Sequence, residues 1–466
     1  MRYRSTRGEL TADAPNFSDI LLAGLAGDGG LYMPESWPKI SPQTLREWRT
    51  LSYPDLAAEV IALFTEGAID VDTLRDMTRD AYADFDHAAV VPLVEVEQDL
   101  YSLELFHGPT LAFKDMAMQM LGRLFDHVLT QRNRHVTIVG ATSGDTGSAA
   151  IEACRGRERL SVVILHPRGR TSDVQRRQMT TVQDDNILNI AVEGDFDTCQ
   201  DLVKAMFADH TFRDEVSLSA VNSINWARIA AQIPYYVRAA LALGAPDREV
   251  SFSVPTGNFG NVLAAWAAKQ MGLPIKKLCI GSNRNDILTR FVIDNDMSVR
   301  TVEPSLSPSM DIQVSSNFER LLFELLDRNS TRCAAIMREF RETGRMAVPH
   351  DAWTRMKEVF EGMTLTDEQT SEAMRLFYNE SLYLADPHSA IGLAVGKRFQ
   401  EPGIPMVAAA TAHPAKFPDA VIAATGIHPK LPPHLSDLFE RTERYECMDS
   451  HIAGLQDAVR AHIRRG

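Results

Sequence analysis

From about residue 100 onward, short runs rich in β-branched residues alternate with longer amphipathic stretches, and this alternation constrains the fold of the chain more than any other feature. The β-α-β-α order predicts an α/β fold with parallel sheets flanked by helices on both faces. In such sheets, ligands bind at the carboxyl ends of the strands, in the loops that enter the next helices. We predict strands at 135–139 (HVTIV), 160–165 (LSVVIL), 187–192 (ILNIAV), 250–254 (VSFSV) and 406–410 (MVAAA), and helices after Asp145, at 173–181 behind the cap Ser172, at 197–208 and at 226–243.

The first 95 residues or so show a different pattern, with short helices predicted at 17–25 and 56–64 and a turn at Asp28-Gly29-Gly30. A chain of 466 residues favours about three domain-sized units. We therefore predict a small N-terminal domain (1–95), a middle lobe (96–240) and a C-terminal lobe (241–466) with a charged helical insertion around 330–380.

The composition excludes several classes of function. Lysine and arginine number 48 against 62 aspartates and glutamates, and the resulting charge of −14 argues against nucleic-acid or anionic-membrane binding. The five cysteines form no CxxC pair, which is typical of free, mostly buried thiols in a reducing compartment. We expect no metal site and, because no apolar stretch follows the N-terminal arginines, a cytoplasmic location. Both a monomer and a homodimer stay open.

The loop at 140–148 (GATSGDTGS) lies between a predicted strand and a predicted helix. Its glycines and small hydroxyls expose backbone amides at a helix N-terminus, where the helix dipole favours a carboxylate or phosphate. Its spacing matches neither the dinucleotide-binding fingerprint nor the nucleotide P-loop. The alternative is a turn capped by Asp145 or Thr146 that binds no ligand.

The loop at 254–261 (VPTGNFGN) follows a predicted strand and opens the next helix. Two glycines three residues apart, each followed by asparagine, predict a backbone cup with several amide donors, which suits a phosphate monoester. The alternative is an Asn-Gly-type turn without a ligand, but no second strand follows to make a hairpin.

The loop at 105–115 (LFHGPTLAFKD) places Lys114 between Phe113 and an amphipathic helix rich in methionine. A lysine in an apolar cleft has a lowered pKa and becomes a usable nucleophile or base. The alternative is an ordinary solvated lysine.

Together the three loops resemble those of fold-type II enzymes dependent on pyridoxal phosphate (PLP), the tryptophan synthase β-like class, and the chain resembles the threonine synthases of the longer type with an extra N-terminal segment. The lysine and glycine loops indicate only the fold type, whereas FHGPTLAFKD, SSNFERLLFEL and HPAKFP are far more specific. The matching stretches are STRG (5–8), DGGLYMPE (28–35), FHGPTLAFKD (106–115), ATSGDTGSA (141–149), PTGNFGN (255–261), SPSMDIQVSSNFERLLFEL (307–325), DPHSAIG (386–392) and TAHPAKFPDA (411–420).

The resemblance implies roles for individual residues. Lys114 would hold PLP as a Schiff base, and Thr411 would face the nitrogen of the pyridine ring. The cofactor phosphate would lie in the cup formed by Gly257, Asn258, Phe259, Gly260 and Asn261. The substrate carboxylate would be held by Thr142, Ser143, Gly144, Asp145 and Thr146. Many fold-type II relatives have asparagine at the position of Asp145, and the longer threonine synthases resemble this chain in having aspartate.

The resemblance also implies the reaction: O-phospho-L-homoserine and water would give L-threonine and phosphate by γ-elimination and β-addition, the last step of threonine biosynthesis. The substrate phosphate needs a site of its own, for which the candidates are Arg284, Ser316, Asn317 and Lys416. Two alternatives stay open. One is a PLP-dependent phospho-lyase or dehydratase that releases a 2-oxoacid, and the other is a non-catalytic binding protein with the same fold.

Overall fold

The computed structural model describes residues 1–9, 13–142, 144–219 and 223–463. Its strands, in chain order, are β1 (Tyr3–Ser5), β2 (Tyr32–Pro34), β3 (Leu93–Glu97), β4 (Leu100–Glu104), β5 (Val136–Ala141), β6 (Leu160–Pro167), β7 (Ile187–Val192), β8 (Leu218–Ser219), β9 (Val250–Pro255), β10 (Ile275–Ser282), β11 (Phe360–Thr364), β12 (Met406–Ala410) and β13 (Glu446–Met448).

These strands form two large sheets and one small one. A six-stranded sheet has the order β11-β10-β9-β12-β4-β3, and a five-stranded sheet has the order β13-β7-β6-β5-β8. All neighbours in both are parallel except the antiparallel pair β3 and β4. Strands β1 and β2 pair on their own, antiparallel. The prediction of an α/β fold with parallel sheets is confirmed.

Helices cover the sheets. They are α1 (Phe17–Ala23), α2 (Pro42–Trp48), α3 (Tyr53–Thr65), α4 (Val71–Tyr82), α5 (Lys114–Gln131), α6 (Asp145–Cys154), α7 (Asp173–Thr180), α8 (Phe196–Ala208), α9 (His210–Glu215), α10 (Trp226–Ala230), α11 (Ile233–Ala242), α12 (Gly260–Met271), α13 (Ile287–Asp294), α14 (Phe318–Leu325), α15 (Ser330–Thr343), α16 (His350–Lys357), α17 (Asp367–Ser381), α18 (Pro387–Phe399), α19 (Pro418–Thr425) and α20 (Ile452–Ile463). Within the described residues, no helix is both long and apolar enough to cross a membrane.

Most of the predicted elements are confirmed. Strands β5, β6, β7, β9 and β12 lie where the β-branched and apolar runs predicted them, and Ser172 caps α7 by accepting a hydrogen bond from the amide of Gln175. The helix predicted at 17–25 ends earlier, at Ala23, because Gly24 follows it with a positive φ of 66°. Four cysteines are buried and Cys447 is exposed, and none of the five forms a disulfide.

The single helix predicted at 226–243 is wrong, because the chain forms α10 and α11 with a break between them. Pro234 is the second residue of α11. Proline has no amide hydrogen to donate and its ring clashes with the carbonyl four residues earlier, here that of Ala230, so one continuous helix could not pass through it.

The predicted helical insertion around 330–380 also contains a strand, β11, which pairs with β10 at the edge of the large sheet. The sheets do not follow the predicted unit boundaries either. Strand β4 belongs to the predicted middle lobe but pairs with β12 of the predicted C-terminal lobe. Strand β13 belongs to the C-terminal lobe but pairs with β7 of the middle lobe. The division into three units therefore stays a prediction, and the chain passes between the two sheets more than once.

The N-terminal part packs on the rest through an aromatic cluster centred on Trp226, which is fully buried. The rings of Tyr3, Trp37 and Phe64 lie 5.6 to 6.4 Å from that of Trp226. Such aromatic contacts contribute stability beyond the area they bury. They place the N-terminal segment against α10, which itself packs on α5 and α12.

Candidate active site

The carboxyl ends of β4 and β12 are tied together at the start of α5. The amide of Leu105 donates to the carbonyl of Ala410 at 3.0 Å, and the amide of Phe113 donates to that of Thr411 at 2.9 Å. Lys114, the first residue of α5, therefore lies beside Thr411. Two residues predicted to serve one cofactor from distant parts of the sequence are thus brought together.

The Lys114 side chain is only 10% exposed, and its ammonium lies 3.4 Å from Oδ2 of Asp145 and 4.9 Å from the centre of the Phe113 ring. Burial lowers the pKa of Lys114, since charge is costly away from water, and the nearby cations Lys416 and Arg228 lower it further. Asp145 opposes this shift without cancelling it. The amine is thus held closer to the neutral form that a base or nucleophile requires, which is consistent with the role predicted for Lys114.

Asp145, the first residue of α6, is buried and surrounded by donors. Its Oδ1 accepts from Gln175 at 2.9 Å and lies 2.8 Å from the Lys416 ammonium, while its Oδ2 accepts from the Ser309 hydroxyl at 3.1 Å. Burial acts to raise the pKa of Asp145, but Lys416 and Lys114 overcome it and hold that pKa well below its ordinary range. The residue is therefore a carboxylate with a fixed set of partners.

The amide cup at 257–261 opens α12. Phe259 has a left-handed φ of 63°, and the helix starts without a side-chain cap. Among the described residues, no backbone carbonyl accepts from the amides of 257–261, which leaves consecutive donors at a helix N-terminus. A phosphate group fits such an arrangement.

Asn261, the last residue of the cup, has a buried side chain with one unpartnered donor. It is buried, and its Oδ1 accepts from the hydroxyls of Tyr235 and Tyr236 at 2.5 and 2.6 Å. Its Nδ2 is buried with no hydrogen-bond partner among the described residues. A buried donor without an acceptor is costly, so an anion bound in the cup within reach of this nitrogen would remove that cost.

Asn258, Ser316 and Asn317 meet on one side of the cup. The amide of Asn317 donates to the carbonyl of Asn258 at 3.1 Å, and the Ser316 hydroxyl donates to Oδ1 of Asn258 at the same distance. The side chain of Asn317 binds within the protein, donating to the carbonyl of Ser223 at 3.0 Å and accepting from Arg320. Ser316 and Asn317 were both predicted as ligands of the substrate phosphate, and Ser316 is the more accessible of the two.

The loop before α6 is shaped by Thr142, whose hydroxyl accepts from the amides of Gly144 and Gly147, both at 2.9 Å. Gly144 has a φ of 145°, and a β-carbon there would lie 2.5 Å from Gln175, so glycine is required. The amides of Asp145 and Thr146 donate to no backbone carbonyl among the described residues. Ser143 lies outside the described residues.

The other predicted residues have the following surroundings. Thr411 is buried, and its amide donates to the Ser389 hydroxyl at 3.0 Å. Arg284 forms ion pairs with Asp367 at 2.8 Å and with Glu303 at 3.7 Å, so its guanidinium already has protein partners. Its predicted role as a phosphate ligand is not tested by these contacts and stays a prediction.

Sequence reasoning missed three residues that contact this centre: Gln175, Ser309 and His388. Ser309 connects His388 to Asp145, because its hydroxyl donates to Asp145 and its amide donates to Nε2 of His388 at 3.3 Å. Both Ser309 and His388 lie in motifs that were recognised, SPSMDIQ and DPHSAIG, but no spacing rule assigned them a function. Gln175 lies in α7 and had no signal beyond its helical position.

Comparison with known proteins places this geometry in a family. Residues 2–82 match the family described as threonine synthase N terminus, residues 89–348 match pyridoxal-phosphate dependent enzyme, and residues 389–463 match threonine synthase, C-terminal. The threonine synthase of Pseudomonas aeruginosa is 52% identical over 468 residues, covering 100% of this chain and 99% of the relative. This chain belongs to the threonine synthase family.

Solved structures of threonine synthases agree over the whole chain. The PLP-bound threonine synthase from Brucella melitensis superposes with a TM-score of 0.97 at 49% identity, covering 100% of both chains. The threonine synthase from yeast superposes with a TM-score of 0.95 at 38% identity, covering 100% of this chain and 99% of that one. The predicted resemblance, the fold-type II architecture and membership of a PLP-dependent enzyme family are confirmed.

Proposed function

We propose that this chain converts O-phospho-L-homoserine and water to L-threonine and phosphate, with PLP as its cofactor. The observation that carries the proposal is that a buried lysine with a lowered pKa, Lys114, and an amide cup suited to phosphate, at 257–261, both follow the carboxyl ends of strands of one sheet. The full-length similarity to threonine synthases supports it.

In this proposal the cofactor is held by residues from the ends of β4, β9 and β12. The cup of Gly257, Asn258, Phe259, Gly260 and Asn261 would bind the phosphate of PLP, Lys114 would bind its aldehyde carbon, and Thr411 would face its ring nitrogen. When bound, PLP supplies an electron sink that stabilises negative charge next to the substrate amine. Two independent features support the fit: the unpartnered Nδ2 of Asn261 and the amides at the start of α12.

The substrate carboxylate would be held by the loop of Thr142, Ser143, Gly144, Asp145 and Thr146. The amides of Asp145 and Thr146 are the donors, since the Asp145 carboxylate and the Thr142 hydroxyl bind within the protein. For the substrate phosphate, Ser316 stays a candidate because it is more accessible than Asn317 and lies beside the cofactor cup, with its hydroxyl on Asn258.

Lys114 would then move protons at the substrate's Cα and Cβ as the phosphate leaves Cγ and water adds at Cβ. Repeated proton transfer by one amine is most efficient when its pKa lies near the working pH, and burial shifts the pKa of Lys114 in that direction. The low exposure of Lys114 and Asp145 restricts water at the centre, whereas the addition at Cβ requires one water molecule.

Product analysis tests the proposal. Purified protein with PLP would be incubated with O-phospho-L-homoserine, and phosphate, threonine and 2-oxobutyrate would be measured together, with Lys114→Ala as the control variant. Equal amounts of threonine and phosphate are expected from the parent and neither from the variant. Phosphate accompanied mainly by 2-oxobutyrate would replace the proposal with a phospho-lyase, and no release despite bound PLP would mean that the substrate is wrong.

The unpaired cysteines support a reducing compartment such as the cytoplasm.

A further inference from the structure

Lys416 is a fully buried lysine at the centre of the site. It lies in the turn after β12, with a side-chain exposure of 0%. Its ammonium donates to the carbonyl of Thr110 at 2.7 Å and lies 2.8 Å from Oδ1 of Asp145. Lysine is almost never fully buried unless it is paired, so the Asp145 carboxylate is what allows this charge to remain in the interior.

The position of Lys416 is fixed from several sides. Its amide donates to the carbonyl of His413 at 3.0 Å, within the same turn. Thr110, whose carbonyl receives the ammonium, is itself held by Asp115, which accepts from the Thr110 amide at 2.8 Å and from its hydroxyl at 2.6 Å. Because Asp115 directly follows Lys114 in the chain, the contacts through Thr110 and Asp115 connect the two lysines.

Asp145 lies between the two ammonium groups, but not midway. Its Oδ1 is 2.8 Å from Lys416, whereas its Oδ2 is 3.4 Å from Lys114. The other polar groups on this carboxylate, Gln175 from α7 and the Ser309 hydroxyl, are neutral. Two further charged groups act on this pair of lysines: Arg228 from α10 acts on Lys114, and the Asp115 carboxyl interacts with Lys416.

We propose that Lys416 is a positioning residue, the counter-ion of Asp145, which keeps that carboxylate paired whether or not the nitrogen of Lys114 carries a proton. With Lys114 protonated, the three groups have a net positive charge, and with Lys114 neutral they are balanced. Lys114 can therefore give up its proton without leaving Asp145 as an unpaired buried charge. This role differs from the phosphate-binding role that the sequence suggested for Lys416.

Removal of the Lys416 charge would favour the protonated form of Lys114 over the neutral form. Asp145 would then have Lys114 as its nearest cation, and loss of the Lys114 proton would leave a buried carboxylate unpaired, which is costly. The nitrogen of Lys114 should hold its proton to higher pH. Replacement of Asp145 by asparagine should have the opposite effect, because two lysines would then face each other without an anion.

The test is a pH titration of the holoenzyme, followed by the visible absorbance band of bound PLP, which responds to the protonation of the nitrogen that joins it to Lys114. It rests on the proposed function only for PLP binding at Lys114, and it involves no substrate. In Lys416→Met we expect the midpoint to rise by about one pH unit, a tenfold change in proton affinity. Lys204→Met is the matched control, because Lys204 is an exposed lysine whose ion pair is with the exposed Asp201, and the midpoint of this variant should equal that of the parent.

Two further variants keep the proposal falsifiable if Lys416→Met does not fold. Lys416→Arg keeps the charge and should stay within about 0.3 pH units of the parent, while Asp145→Asn should lower the midpoint. A midpoint unchanged from the parent in Lys416→Met, or in Asp145→Asn, overturns the proposal. A normal band in the parent together with no threonine production would overturn the proposed reaction and leave this inference intact, whereas a parent that binds no PLP would overturn both.

Discussion

The backbone of Gly257 lies directly against Ser309, so that a β-carbon at position 257 would be 3.1 Å from the Ser309 carbonyl oxygen. The same β-carbon would be 3.0 Å from the side chain of Ile312 and 3.2 Å from Cα of Met310. The Ser315 hydroxyl also donates to the Gly257 carbonyl at 2.8 Å. The proposed phosphate cup and the loop that contacts Asp145 are therefore packed as one unit.

We expect Gly257→Ala to weaken PLP binding by about tenfold, since forcing a methyl group into such a tight contact costs about 1–3 kcal/mol. Equilibrium dialysis of PLP against the purified variant measures this. Gly260→Ala is the matched comparison, because its β-carbon would meet its nearest neighbours at 3.4 and 3.5 Å, which is ordinary contact. Equal losses in the two variants would contradict the packing argument.

We expect Ser309→Ala to lower the turnover number by about tenfold with PLP binding little changed, because the carboxylate beside Lys114 loses a hydrogen bond worth about 1.5–3 kcal/mol. The Ser309 hydroxyl donates to Oδ2 of Asp145, the same oxygen that faces the Lys114 ammonium. Steady-state kinetics of phosphate release would test this. Ser309→Thr keeps a hydroxyl and should recover part of the loss, and parent-like turnover in Ser309→Ala would refute the role.

Much of this fold could be predicted from the sequence because its strands are short, buried and rich in β-branched residues. Strand β7, for example, begins and ends at the predicted residues, Ile187 and Val192. The break between α10 and α11 was missed because the apolar periodicity continues through it, and only Pro234 marks the interruption. Strand β11 was missed because helical, charged segments flank it on both sides.

The parts of the candidate site that lie within one loop could be predicted from the sequence. The contacts that join distant segments could not. The cup at 257–261 and the loop around Asp145 show their glycines and hydroxyls directly in the sequence. The hydrogen bond between Ser309 and Asp145, by contrast, spans 164 residues. The burial of Lys416 against Asp145 likewise depends on the pairing of β12 with β4, which no local pattern specifies.

His107 should stabilise the protein in a pH-dependent way. Its Nδ1 lies 2.7 Å from Asp86 and its Nε2 lies 2.7 Å from Glu104. Burial opposes the charge, but the two carboxylates raise the pKa of His107 above its ordinary value. The folded state therefore binds this proton more tightly than the unfolded state, and the stabilisation is complete below about pH 6.5 and lost as pH rises through the raised folded value.

We accordingly expect His107→Gln to lower the thermal unfolding midpoint more at pH 6 than at pH 9, with a loss of about 1–2 kcal/mol at pH 6. Thermal scans at the two pH values measure the difference. His127→Gln is the control, since the ring of the half-buried His127 bonds to the neutral side chain of Gln131, on the same helix. An equal shift of the His107→Gln midpoint at both pH values would mean that the ring is not charged.

His413 should show the opposite pH dependence. Its Nδ1 accepts from the amide of Ala415 at 3.1 Å, and burial lowers the pKa of His413 to about 4. The unfolded state therefore binds this proton more tightly, so stability is lost as pH falls from about 6.5 toward 4, by an amount on the order of 3 kcal/mol. We expect His413→Asn, which can still accept the hydrogen bond but does not titrate, to lose less stability than the parent between pH 7 and pH 5. Parallel stability curves for the two proteins would refute this.

The N-terminal segment is joined to the cup through Glu319. This buried glutamate accepts from the Thr6 hydroxyl at 2.5 Å and pairs with the Arg7 guanidinium at 2.6 Å. It lies in the first turn of α14, next to Asn317, whose amide donates to Asn258. Loss of its charge would leave Arg7 mostly buried and unpaired, and would loosen the start of the helix that orients one side of the cup.

We expect Glu319→Gln to destabilise the protein by about 3 kcal/mol and to weaken PLP binding as well, because breaking a buried ion pair on one side costs about 3–5 kcal/mol and the effect reaches Asn258. Thermal unfolding of the apoprotein and PLP dialysis measure the two effects separately. Glu339→Gln removes an exposed glutamate from α15 and should change neither quantity. Destabilisation of Glu319→Gln with PLP affinity equal to the parent would show that the N-terminal segment stabilises the fold without influencing the cup.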